Sequence, residues 1–126
     1  MKDFSDGKEN EMIKQSLLKT ELFGYEICAH VTRLDEGIQV LIAGGSRTHI
    51  GAVSFMGYHG IINTIQLSGH RDANISTHWA EVLWSRLKEP VCVQCGIHFH
   101  DLNGTQIEDV IASCSRMLDA LIKRLN

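Results

Sequence analysis

Glycine and histidine cluster in three short blocks of this chain, and each block adjoins a run of residues with strand-like alternation. The blocks are 44–51 (GGSRTHIG), 68–72 (SGHRD) and 96–101 (GIHFHD). Glycine allows the backbone to approach a ligand closely or to adopt a positive φ, while serine, arginine and histidine offer hydrogen-bond donors that suit an anion. The three blocks are therefore the predicted functional sites.

The first two blocks could each form a concave turn around an anion such as phosphate. In the first block Gly45 precedes Arg47, and in the second Ser68 and Gly69 precede Arg71. Each arginine offers a forked donor, and successive backbone N–H groups in such a turn would complete the anion site. The alternative is that both blocks are ordinary tight turns with solvated arginines, because glycine turns are common in sheet proteins.

Histidine is abundant, at seven of 126 residues, so a metal site is a second hypothesis. His98 and His100 would share one face of a strand, with Asp72 or Asp101 as a third ligand. However, the sequence has no His-Glu-x-x-His motif, and the other histidines lie in separate segments. A small metal-dependent enzyme that uses His98, His100 and Asp72 therefore stays an alternative to an anion-binding protein.

The four cysteines predict neither a disulfide framework nor a zinc site. Cys92 and Cys95 have the Cys-x-x-Cys spacing, but they fall in the strand-like run 91–99. Residues three apart on a strand point to opposite faces, and the sequence has no second such pair. Cys28 and Cys114 also fall inside regular elements, which argues against a cysteine nucleophile. We expect all four thiols to be reduced.

Composition limits the class of protein. The chain has 126 residues, of which 44% are hydrophobic and 21% charged, and this is typical of one compact domain. The net charge of −3 argues against a nucleic-acid-binding protein. The chain has no apolar run of about 18 residues and a polar start, so we expect a cytoplasmic protein without membrane contact. Residues 1–19 are predicted to be flexible or weakly ordered, and 20–126 to form the domain.

Alternating apolar residues predict five strands, followed or separated by two helices. Turns at 35–37 and 57–60 indicate two hairpins among the first four strands, whereas the segment 11–22 is ambiguous between a short helix and an edge strand. The predicted strands are 25–32, 38–43, 50–56, 61–67 and 91–99.

Helical spacing of apolar residues predicts the two helices. The first follows candidate caps at 74–77 and ends before Pro90. The second begins at a capping box over 105–108 and carries an apolar stripe to Leu125. The resulting order, ββββαβα, predicts an α+β domain in which an antiparallel sheet carries two helices on one face.

Two helices leave the other face of the sheet open to solvent, a ligand or a second subunit. This open face is predicted to be partly polar, with Thr64, Gln66 and Ser68 beside Gln94 and His98. Pairing of two such faces would bury them, and a homodimer is therefore expected.

In the same glycine and histidine blocks, the chain resembles the LpdD-like prenylated flavin chaperone family. These small proteins are associated with gallate decarboxylase and related UbiD-type enzymes. The resemblance depends on the segments 44–53, 68–72 and 96–98 in that order, followed by the helix over 105–125. It covers roughly residues 20–125, and three blocks in order are much more specific than any one of them.

The resemblance implies a dimeric, non-catalytic chaperone that binds reduced prenylated FMN. Such a chaperone helps to load the cofactor into a UbiD-type aromatic acid decarboxylase, and its fold is similar to that of proteasome assembly chaperones. A flavin prenyltransferase is a further candidate partner. An assembly chaperone whose partner is protein alone is the remaining alternative, and flavin titration separates the two.

The resemblance also suggests roles for the polar residues of the three blocks. The two arginines and the backbone amides near the two glycines would hold the phosphate, and the three histidines would surround the polar part of the ring. No catalytic or metal-binding residue is predicted. The predicted cofactor-binding residues are Gly45, Arg47, His49, Ser68, Gly69, His70, Arg71 and His98.

Overall fold

A computed structural model describes residues 14–67 and 71–125. This part of the chain forms six strands and two helices, which confirms the predicted α+β class. The helices are α1 (Asp72–Leu87) and α2 (Gly104–Leu125). The strands are β1 (Lys14–Leu22), β2 (Tyr25–Leu34), β3 (Gly37–Gly45), β4 (Arg47–Met56), β5 (Ile62–Gln66) and β6 (Val91–His98).

The six strands form one mostly antiparallel sheet in the order β1-β2-β3-β6-β4-β5. The predicted hairpins β2–β3 and β4–β5 are both present. The sequence did not predict that β6 lies between β3 and β4, where it pairs with β3 in parallel and with β4 antiparallel. Val91, Val93 and Cys95 are fully buried there, which explains why this apolar strand occupies the centre of the sheet.

Both helices pack on the same face of the sheet. Trp79 and Leu83 of α1 and Leu118 and Leu121 of α2 are at most 2% exposed. Each buried large apolar side chain contributes about 1.5–3 kcal/mol relative to an exposed one. Neither helix of the described chain has both the length and the apolar character that a bilayer span requires. The core thus lies between one sheet face and the two helices.

Strand β1 resolves the ambiguous segment near the start of the chain in favour of an edge strand. It pairs antiparallel with β2 through a two-residue turn, in which Phe23 and Gly24 have φ values of 53° and 81°. Leu18 is the buried residue of this strand. The helical alternative is wrong for Lys14 onward, and residues 11–13 lie outside the described residues. Regular structure therefore begins before residue 20.

The start of α1 differs from the predicted capping. The residues at 74–77, predicted as candidate caps, lie inside the helix, and the N-cap position is Arg71, which makes no side-chain cap hydrogen bond. The hydroxyls of Ser76 and Thr77 instead lie 2.8 and 3.3 Å from the Ser54 hydroxyl of β4. These side chains tie the helix to the sheet.

The start of α2 lies close to the predicted one, but its capping box is two residues earlier. The Asn103 N–H donates to Gln106 Oε1 at 3.0 Å, and the Gln106 N–H donates to Asn103 Oδ1 at 2.9 Å. This reciprocal pair satisfies two donors at the helix start. The prediction of a box over 105–108 is therefore wrong in position, because Asn103 provides the cap.

Strand β5 presents the opposite face to the one predicted. Its register with β4 places Thr64 opposite Ser54, and their hydroxyls lie 2.8 Å apart on the helix side of the sheet. Gln66 shares that side by alternation, so the placement of Thr64 and Gln66 on the open face is wrong. Ile65 points away from the helices and is 66% exposed. The hydroxyl contacts with α1 favour this register. Ser68 lies outside the described residues.

The open face of β3, β6, β4 and β5 away from the Arg47 end of β4, called the outer face below, carries no charged side chain at its outward positions. Strand register and alternation assign each position. Phe55 is 46% exposed and Ile65 66% exposed, so the outer face is more apolar than predicted. The outward residues are Gln39, Leu41, Ala43, Cys92, Gln94, Val53, Phe55, Asn63 and Ile65.

All four cysteines are free. Cys95 is fully buried beneath the helices, whereas Cys92 lies on the outer face, which confirms that the two diverge. Burial raises the pKa of Cys92 and Cys28, raises the pKa of Cys114 to about 12, and raises the pKa of Cys95 further. A reactive thiolate is therefore disfavoured at each of the four positions.

Candidate functional site

The first and third glycine blocks meet at one end of the sheet. Pairing of β3 with β6 ends with Gly45 opposite His98, and β4 begins with Arg47 opposite the same histidine. Between them, the Ser46 N–H and hydroxyl both donate to the His98 carbonyl, at 2.8 and 3.2 Å. The φ of Gly45 is +84°, a conformation that favours glycine. The Ser46 donors therefore hold the two blocks together.

Asp72, the first residue of α1, joins the second block to the other two. Its Oδ2 lies 3.2 Å from His49 Nε2, and its Oδ1 accepts a hydrogen bond from the Ile97 N–H at 3.1 Å. The Asp72 side chain is only 4% exposed. Gly51 makes room for it, because a Cβ at that position would collide with the carboxylate. The described parts of the three blocks thus form one continuous site.

We expect Asp72→Ala to lower the free energy of unfolding by about 2 kcal/mol, because it leaves the Ile97 N–H and the His49 imidazole without their buried charged acceptor. Urea unfolding followed by circular dichroism measures this change. Asp109→Ala, at an exposed position of α2, is the matched control and should change stability little. Equal stability of both variants would contradict a connecting role for Asp72.

A pocket of about 350 Å³ lies between the starts of the two helices and the end of β6. One wall is polar and consists of Arg71, Asp72 and His98. The remainder, called the apolar wall below, combines residues from both helices, from β6 and from the loop after it. The apolar wall consists of Ile75, Ile97, Phe99, Leu102, Ile107, Val110 and Ile111.

Three histidines lie near the polar wall. The His98 ring lies between those of His49 and His100, with centroid distances of 6.4 and 4.9 Å and near-perpendicular planes. Asp72 contacts His49 in this cluster. Within residues 14–67 and 71–125, no group of three His, Cys, Asp or Glu side chains has an arrangement that could hold a metal ion. The geometry therefore gives the metal-dependent alternative no support.

Five of the eight predicted cofactor-binding residues belong to the described chain, and all five lie at this end of the sheet. Arg71 and His98 line the pocket. Gly45, Arg47 and His49 lie beside it through their contacts with His98 or Asp72. The other three, Ser68, Gly69 and His70, lie outside the described residues.

The apolar wall is a part of the site that the sequence did not predict. Phe99 ends the predicted strand 91–99, and Ile107 and Ile111 belong to the apolar stripe predicted for the second helix. Phe99 also contacts the rings of Phe23 and Tyr25, with centroid distances of 5.6 and 6.0 Å. The available signal was the position of Phe99 between two histidines of the third block, at the point where β6 ends.

The fold is that of proteasome assembly chaperones. A chain in a crystal structure of a chaperone complex for yeast 20S proteasome assembly matches with a TM-score of 0.61 and 13% sequence identity. The match covers 91% of this chain and 99% of that chain. This confirms the predicted similarity of fold.

The chain belongs to the prenylated flavin chaperone LpdD-like domain family, whose model matches residues 21–126. This confirms the resemblance found in the glycine and histidine blocks. No curated protein sequence matches the chain significantly. The family supports a chaperone role. The described parts of the three glycine and histidine blocks of this chain meet at the pocket.

Proposed function

We propose that this protein is a non-catalytic carrier of reduced prenylated FMN that delivers the cofactor to a UbiD-type aromatic acid decarboxylase and assists its activation. The observation that carries the proposal is the pocket at the junction of the three blocks, which combines a polar wall that includes Arg71 with an apolar wall. Membership in a prenylated flavin chaperone family supports it. The proposed compartment is the cytoplasm, and a flavin prenyltransferase is the proposed source of the cofactor.

The phosphate of the ligand is proposed to bind at the start of α1. The first N–H groups of a helix have no acceptor within the helix, and the helix dipole favours an anion there. Arg71 occupies the N-cap position and is exposed at the pocket. Arg47, which is exposed beside His98, provides a second cation, and the amide of Gly45 lies at the same end of the sheet. The buried Asp72 carboxylate is already engaged by His49.

The ring system of the ligand is proposed to lie against the apolar wall, with His98 at its polar edge. The pocket volume of about 350 Å³ is within the range of small-molecule sites. The aromatic contacts with Phe23 and Tyr25 hold the Phe99 ring in this wall. A pocket with this lining fits a ligand that has an anionic end and a large apolar end.

Binding without turnover fits the chemistry of the described residues. Burial raises the pKa of the cysteine thiols, and the Asp72 carboxylate is held by the Ile97 N–H and His49. These groups stabilise the site itself. A carrier requires no acid, base or nucleophile aimed at its ligand.

A second copy of this chain is proposed to cover the outer face. That face has no charged outward residue, and it exposes Phe55 and Ile65 to solvent. Pairing the same face of two copies around a two-fold axis would bury both residues twice. The proposed assembly is therefore a homodimer.

Anaerobic titration of the purified protein with reduced prenylated FMN tests the proposed function. We expect saturable, stoichiometric binding, followed by faster activation of an apo-decarboxylase than free cofactor achieves. Absence of binding would contradict the carrier hypothesis and favour a chaperone whose partner is protein alone. A stoichiometric bound metal lost on changing His98 or His100 would instead support a metal-dependent enzyme.

A further inference from the structure

We infer that the groove between β1 and α2 is a docking site for an extended acidic segment of a partner protein, which adds to the sheet beside β1. This groove, called the basic groove below, has a volume of about 380 Å³. It is lined by residues 17–20 of β1 and by residues of α2 that include Arg116 and Arg124. It shares no residue with the pocket at the starts of the two helices, so the inference does not depend on the proposed function.

Strand β1 leaves one edge of its backbone open. It is the first strand in the order of the sheet and pairs, among the described strands, with β2. The two-residue turn makes Leu22 and Tyr25 a hydrogen-bonded pair, so by alternation the N–H and C=O groups of Leu17 and Lys19 point away from β2. The Leu17 carbonyl oxygen accordingly lies 3.5 Å from Arg124 Nη1. Such a row of unpaired groups is a template for one more strand.

The side chains of α2 make the groove positively charged. Arg116 and Arg124 are exposed, and neither forms an ion pair with a carboxylate among the described residues. Arg116 donates to Ser113 Oγ at 3.0 Å within the groove. Lys19 differs, because its side chain alternates onto the other face of the sheet, where its ammonium lies 3.9 Å from Glu26. No carboxylate of the described chain lines the groove, so both arginines are available to acidic side chains of a partner.

The spacing of the two arginines fits an extended segment. Arg116 and Arg124 lie eight residues apart on α2, which is about 12 Å along a helix. Residues four apart on a strand are about 13 Å apart and face the same side. Ala120 lines the groove between the arginines, and its small side chain leaves room there. A strand added beside β1 can therefore bring one carboxylate to each arginine while its backbone pairs with Leu17 and Lys19.

The probe is a short fluorescent peptide in which glutamate alternates with threonine, and fluorescence anisotropy measures its binding to the full chain. We expect saturable binding that high salt weakens, because the charges of the groove are exposed. The same peptide with glutamine in place of glutamate should bind about tenfold more weakly. N-methylation of one alternate set of its backbone amides should abolish binding, whereas methylation of the other set should not, because only one set faces β1.

Reversal of the two arginine charges tests the recognition of acidic side chains. In the double variant Arg116→Glu/Arg124→Glu we expect the glutamate peptide to bind at least about tenfold more weakly, and the corresponding lysine peptide to bind in its place. A purely structural role of the arginines would not exchange the preference. Lys123→Glu is the matched control, since Lys123 is exposed in the same last turn of α2 but does not line the groove.

Parental binding of the glutamate peptide by the double variant would overturn the inference, as would equal binding of the two methylated peptides. If the double variant does not fold, the methylated peptides decide the question with the parent protein. Two other occupants would also overturn it. A dimer that is lost in the double variant would assign the groove to a second copy. Peptide binding that appears only when Asp6, Glu9 and Glu11 are changed to their amides would assign it to the start of this chain. These measurements use no flavin, so their outcome is separate from that of the proposed function.

Discussion

Arg71→Ala weakens the binding of reduced prenylated FMN by about ten- to a hundredfold. A hydrogen bond from a charged group to phosphate contributes about 1.5–3 kcal/mol, and each 1.4 kcal/mol is a factor of ten in affinity. Arg71 stands at the N-cap of α1 and lines the pocket, so its guanidinium and the helix start would act on the same anion. Arg47→Ala is expected to weaken binding toward the lower end of this range, because Arg47 lies beside the pocket.

Arg86→Ala is the control for this experiment. Arg86 is exposed in the last turn of α1, so the change removes the same charge from the same helix at the opposite end. Anaerobic titration of the three variants and the parent protein gives the affinities, and circular dichroism checks that each is folded. Parental affinity of both Arg71→Ala and Arg47→Ala would refute the phosphate assignment. An equal loss in Arg86→Ala would show a nonspecific effect of charge.

Ile65→Asp converts the proposed homodimer into monomers, with association weakened at least about a hundredfold. Burying an unpaired carboxylate costs several kcal/mol, and the two-fold axis places one such carboxylate in each copy. Ile65 is 66% exposed and its neighbours on the outer face carry no charge that could pair with aspartate. Sedimentation at micromolar concentration measures the change. Ala112→Asp, at an exposed position of α2 on the helix side of the sheet, should leave the dimer intact.

Thiol titration provides an independent test of the proposed dimer interface. Cys92 lies on the outer face, so a second copy would protect it, and Ile65→Asp should make it reactive. Cys95 is fully buried beneath the helices and should react only after unfolding in either protein. A monomeric parent protein with a freely reactive Cys92 would contradict the proposed dimer.

Local patterns in the sequence were sufficient to predict most of the elements, because alternation and helical spacing depend on near neighbours. The hairpin turns at 35–37 and 57–60 and the strand beginning at Val91 were all predicted in place. The order of strands was not, because the pairing of Gly45 with His98 joins residues far apart in the chain. Nothing in the pattern of β6 indicates which strands it will separate.

The orientation of β5 shows a second limit. Apolar residues fall on both sides of this strand, with Ile62 on one side and Ile65 on the other, so a slip of one residue still leaves an isoleucine facing the helices. The structure places Thr64 inward because its hydroxyl meets those of Ser54 and Thr77, which satisfies all three. Such a choice depends on partners in other elements and leaves no trace in β5 itself.

The sequence predicted the polar residues of the candidate site but not its apolar wall. Its polar residues were recognisable because arginine and histidine beside glycine are uncommon in a core, whereas Ile107 and Ile111 look like any apolar stripe of a helix. The sequence predicts Asp72 only as a candidate metal ligand, whereas its carboxylate contacts His49 and accepts a hydrogen bond from the Ile97 N–H. The role of a buried carboxylate is decided by the neighbours that the fold brings to it.

The central position of β6 has a consequence for the synthesis of the protein. Strands β3 and β4 leave the ribosome well before Val91–His98, so each keeps an unpaired edge until β6 is made. Gly45 and Arg47 can pair with His98 only after β6 has been made. Helix α2 provides one side of the pocket and is made after β6. An unfinished or truncated chain thus has no complete pocket, and the proposed capture of the flavin would be restricted to the finished protein.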